Sequence, residues 1–121
     1  MTKFGYSASQ WSRAKDEARD AMIECARMRA MITYSDLTVS ITAIAFKPDD
    51  FALANLLGEI STEENEAGRG MLTVLVVHKQ GDMEPGGGCY SLAEKLGRYT
   101  ADRVRFWVDE LHRVHGYWST R

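Results

Sequence analysis

The sequence predicts an α+β domain, mostly helical, with a small two- or three-stranded sheet and two C-terminal helices. Three observations carry this. The chain has 121 residues, 45% apolar and 26% charged, which suits one domain with one self-supporting core. Apolar residues recur at helical spacing in several long stretches. One run, Met71 to His78, reads as a strand, and a lone strand needs a partner.

A single domain, 1–121, is expected, with residues 1–6 as a flexible arm. Ser7 or Ser9 caps a first helix to about Arg29, because a hydroxyl can accept a bond from a free N–H of the first turn. Trp11, Ala14, Ala18, Ala21, Met22, Cys25 and Met28 form its apolar face. Met31 to Tyr34 is extended. Ser35 caps a second helix carrying Leu37, Ile41 and Ile44 on one face, which Pro48 ends. Asp49 or Asp50 caps a third, with Phe51, Leu53, Leu56, Leu57 and Ile60 as its stripe, a polar end from Ser61 to Glu66, and Gly68 and Gly70 as its stop.

The run from Met71 to His78 is apolar enough to be buried on both faces, and Ile32–Tyr34 is its expected partner. A piece near Cys89–Tyr90 would be the third strand. Residues 79–88 form a loop rich in glycine. A short helix follows from Ser91 to Leu96, closed by Gly97. The last runs from Thr100 to His115, with Val104, Trp107, Val108, Leu111 and Val114 facing the core and Tyr117–Trp118 beyond it.

Three helices, a small sheet and a loop in the place of a wing make an order that resembles a winged-helix domain. Met31-Ile32-Thr33-Tyr34-Ser35-Asp36-Leu37 resembles the opening of the winged-helix part of DNA alkyltransferases and alkyltransferase-like proteins. That family's Pro-Cys-His-Arg signature is missing here, so the resemblance implies a fold and not alkyl transfer. Leu56 to Ser61, Gly68 to Leu72, Val76–Val77, Pro85 to Gly88 and Phe106–Trp107 are together similar to a group of small bacterial proteins. This implies a bacterial origin and carries no activity with it.

The net charge of −2 hides a division. Residues 1–48 hold seven basic and five acidic side chains, giving +2. Residues 49–70 hold one and six, giving −5. Residues 71–121 hold seven and six, giving +1. The third helix, the usual groove reader of such a fold, thus carries acids that phosphate would repel. No apolar run reaches the ~20 residues of a membrane helix. The first residues lack the apolar core of a leader, and the two cysteines are not spaced as a metal pair. The expectation is a cytoplasmic chain with free thiols and no membrane partner.

Candidate chemistry is sparse. Gly86, Gly87 and Gly88 before a helix starting near Ser91 offer N–H groups to an anion, without the lysine of a phosphate loop. Cys89, near that helix start, and His78, at the strand end, are the weak catalytic candidates. His112 and His115 share a helix side without further metal ligands. Glu59, Glu63 and Glu66 also share a side, next to Glu64, but read as a solvated face, so neither a metal nor another cofactor is expected. Lys95, Arg98, Arg103 and Arg105, interleaved with Tyr99 and Trp107, are the best candidates for phosphate contact.

Function is therefore expected to be that of a binding module for a protein partner or a second copy, with Trp107, Tyr117 and Trp118 as anchors. Nucleic acid held by the C-terminal basic residues and the glycine loop is the alternative. A small enzyme using Cys89 and His78, or a carboxylate metal site, is the second alternative.

Overall fold

The computed structural model describes residues 2–78 and 87–121. Two short strands open the chain, β1 (Thr2–Lys3) and β2 (Tyr6–Ser7), paired antiparallel. Residues 2–6, expected as part of an arm, thus belong to a hairpin that Ser7 completes. Its turn places Phe4 at φ 52° and Gly5 at φ 84°, the left-handed pair that a two-residue hairpin loop requires. The hairpin packs on the first helix through Phe4, whose ring stacks on Trp11 at 5.8 Å.

That helix, α1 (Ala8–Arg27), starts in a reciprocal cap. The Gln10 N–H donates to the Ser7 hydroxyl, and the Ser7 N–H donates to the Gln10 side chain, both at 3.1 Å. Trp11, Ala14, Ala18, Met22 and Ala26 are buried, as the spacing predicts. The helix stops two residues early because Arg29 turns left-handed at φ 53°. Met28 then falls outside the apolar face and lies exposed.

β3 (Ile32–Thr33) leads into α2 (Tyr34–Ser40). The cap is Thr33, whose hydroxyl accepts from the Asp36 N–H at 3.1 Å, and not Ser35. The helix also ends well before Pro48. The Glu17 carboxylate of α1 accepts from the N–H groups of Thr42 and Ala43 at 3.1 and 2.9 Å. Those donors are thereby withdrawn from any helical ladder, in a segment whose β-branched residues favour extension. Ile41, Ile44 and Phe46 still reach the core. Hydrogen bonds from Thr42 and Ala43 hold the Glu17 carboxyl below its ordinary pKa.

α3 (Phe51–Glu66) buries Leu53, Leu56, Leu57 and Ile60. Asp50 stands at its cap position, but its carboxylate accepts from the Lys47 N–H at 2.7 Å instead of from the helix. Phe51 is not part of the buried stripe and is 75% exposed. The polar end is not all solvated either, since Ser61 and Glu64 are buried.

The run from Met71 departs most from expectation. It is buried from Met71 to Val77, with His78 exposed, but Leu72–Leu75 form a 3₁₀ turn and only Val76–Val77 form a strand, β4. Side chains have taken the groups that a sheet ladder needs. The Met71 N–H donates to Glu110 at 2.7 Å, and the Thr73 N–H donates to Ser61 at 3.1 Å. The Val74 carbonyl accepts from the Trp107 indole at 2.9 Å. An apolar run alone does not separate a buried strand from a buried turn. What remains pairs as expected: β3 and β4 run parallel, Ile32 beside Val76 and Thr33 beside Val77.

α4 (Gly87–Lys95) begins four residues before Ser91 and absorbs Cys89–Tyr90, so no third strand forms there. α5 (Arg103–Trp118) is capped by Asp102, whose carboxylate accepts from the Arg105 N–H at 3.1 Å. It runs through Tyr117 and Trp118. Its inward face is also rotated from the expected one: Phe106, Glu110, Val114 and His115 are buried, whereas Val104 and Val108 are exposed. The domain is mostly helical, α+β, with α1, α3, the 3₁₀ turn and α5 around the core. Among the described residues no helix is long and apolar enough to cross a membrane.

Candidate functional site

The first turn of α3, its outward flank and α4 border a groove of about 740 Å³. Leu53, Leu57 and Leu92 give it an apolar floor; Thr62, Thr73 and Ser91 give it hydroxyls. Tyr34 and His78 form one wall, their rings tilted at 5.0 Å. Asp49, Asp50 and Phe51 lie along its lining, as does Lys95.

His78 and Cys89, paired as weak catalytic candidates, both line this groove. The chemistry does not follow from the proximity. A nucleophilic cysteine needs its thiolate, and burial, with Glu110 adding to it, pushes the Cys89 thiol up to about 12. Cys89 does lie in the first turn of α4, as expected, but burial outweighs any help from that helix end. We expect alkylation of Cys89 by iodoacetamide to be slow at pH 8 and to rise only in strong alkali. A rate equal to that of a free thiol at pH 8, followed by mass spectrometry, would contradict this. Neither cysteine is in a disulfide.

The glycine loop falls largely outside the described residues, Gly86 included. Gly87 and Gly88 form the first turn of α4, so Ser91, one turn on, is no helix start. The basic residues divide. Arg98 turns inward: it donates to Asn65 at 3.0 Å and to Glu110 at 2.9 Å, and lies 5.6 Å from the Phe106 ring centre. Arg103 sits 5.0 Å from the ring centre of Tyr90. Arg105, 3.9 Å from Asp109, is exposed, as is Lys95.

The acidic helix proves to be half of an internal match. Lys15 of α1 reaches Glu59 at 3.1 Å and Glu63 at 2.6 Å, and Arg19 also pairs with Glu63. Burial alone would lower the Lys15 pKa; its bonds to the two glutamates outweigh that and raise it. Glu64, buried, accepts from Arg69 Nε through both oxygens at 3.1 Å. Among the described residues no group of three or more His, Cys, Asp and Glu is placed to hold a metal. His112 is exposed, while His115 is buried with Nε2 3.0 Å from the Ala30 carbonyl.

Of the three expected anchors, two are engaged in the fold. Trp107 and Trp118 pack against the core, and Trp107 spends its N–H on Val74. Tyr117 is half-buried beneath the Arg121 guanidinium, 3.8 Å from its ring centre. The exposed aromatic pair lies elsewhere. Phe4 and Phe51 meet edge to face at 6.0 Å, 50% and 75% exposed. They continue a chain of rings through Trp11 and Phe46 to Tyr6. Sequence reasoning placed Phe51 in the buried stripe. The spacing of Leu53, Leu56, Leu57 and Ile60 in fact points Phe51 to the opposite side of a 3.6-residue helix.

No protein-family model, curated protein or solved structure matches this chain.

Proposed function

We propose that the chain is a small binding module that takes a protein partner, a second copy of itself being the first to test. The Phe4–Phe51 pair carries this reading. Two large apolar rings in contact, exposed at the edge of a partly apolar groove, have the composition of an interface centre. The anchoring role first expected of Trp107, Tyr117 and Trp118 passes to them. The chain order α1, β3, α2, α3, β4 supports a winged-helix-like scaffold; the expected wing lies mostly outside the described residues. Two unpaired cysteines support a reducing setting such as the cytoplasm.

The test is Phe51→Asp. The variant should fold, because an acid in the first turn of a helix is favoured and little apolar contact is lost. We expect the wild type to sediment as a concentration-dependent dimer, and the variant to associate at least about tenfold more weakly, as for an aromatic hot spot. Heterologous partners should be lost in parallel. A wild-type monomer that captures the same proteins as Phe51→Asp would overturn the reading.

One observation favours a second reading, nucleic-acid binding. Tyr99 is 83% exposed, near in sequence to the exposed Lys95, Arg103 and Arg105. Arg98, committed to Glu110, is no longer among the contacts. We expect single-stranded DNA to bind at low salt, with affinity falling as salt rises, and Arg105→Ala to shallow that slope by about one contact. No binding at low salt removes this alternative. The enzyme alternative gains no support from a thiol held neutral.

A further inference from the structure

We draw no further inference here: the strongest candidate, the groove beside α3 and α4 with Lys95, Asp49 and Asp50 in its lining, lies next to residues outside the described part of the chain, and nothing in the structure shows what covers it.

Discussion

Replacing Glu110 with alanine is expected to cost about 3–5 kcal/mol of folding stability, the usual penalty for breaking a buried ion pair from one side. Glu110 is 1% exposed in the middle of α5. Its carboxylate accepts from the Met71 N–H and from both terminal nitrogens of Arg98. Alanine removes all of these at once. It leaves a backbone donor of the 3₁₀ turn unpaired and a largely buried guanidinium without its counter-charge. Against a total stability of about 5–15 kcal/mol for a domain of this kind, that is a large fraction. Glu110→Gln keeps an acceptor for Met71 and loses the charge, so it should fall between wild type and alanine. Urea unfolding checks the order. Wild-type, Gln and Ala midpoints that coincide at equal slope would mean that Glu110 does not hold the 3₁₀ turn.

The second large effect is expected at Gly70→Ala. Gly70 has φ +91°, where a side chain is strained. A Cβ there would also stand 3.1 Å from Val114 Cγ2 and 3.3 Å from Glu110 Oε2. We expect a loss of about 2–3 kcal/mol, at the upper end for one strained backbone position. Gly68→Ala is the control. Its φ of +79° is similar, yet nothing lies within 4 Å of the added carbon, so about 1 kcal/mol is expected from backbone strain alone. Equal losses at the two glycines would refute the packing part of the argument. Because Gly70 and Glu110 touch, the double variant Gly70→Ala with Glu110→Ala should lose less than the two single losses together.

These two residues also mark where the sequence is easy and hard to read. α1 was legible almost to the residue, because small apolar side chains at strict helical spacing leave one way to pack and Ser7 with Gln10 closes its start. The parallel partnership of β3 and β4 was legible as a pairing, because a buried extended segment must find a ladder. The 3₁₀ turn was not. Its geometry depends on Ser61, Trp107 and Glu110, polar atoms that arrive from far along the chain to take its N–H and C=O groups. The face of α5 was legible in part for the same reason: Trp107, Leu111 and Val114 pack as hydropathy expects, but Val104 and Val108 are exposed and Glu110, absent from the expected face, is buried. Partners for the carboxylate make that difference. The i+4 series Phe106, Glu110, Val114 and the continuation of Leu57 through Ser61 to Glu64 were in the sequence, but a charged residue in such a series reads as exposed until its arginine is known.

The candidate site was legible in part. His78 and Cys89, singled out as weak candidates with no proximity assigned to them, do line one groove, but the burial that neutralises the thiol is a property of the packed fold. The exposed Phe4–Phe51 pair needed the hairpin, which the first residues do not announce. The charge division was read correctly as numbers and differently as surface. Part of the −5 segment is matched inside the chain, where Glu59 and Glu63 meet Lys15 and Arg19 and Glu64 meets Arg69.

The parallel pairing of β3 and β4 has a consequence for the order in which the chain assembles. Joining residue 32 to residue 76 closes a loop containing α2, α3 and the 3₁₀ turn, and closing a loop of that length has an entropic cost before any contact offsets it. Two paired residues on each side are too few to offset it. We therefore expect the ribbon to form once α1 and α3 have met, through contacts such as Lys15 with Glu59 and Glu63. On that expectation the sheet is a late product of helix docking, and residues that hold α1 to α3 should govern the rate at which it appears.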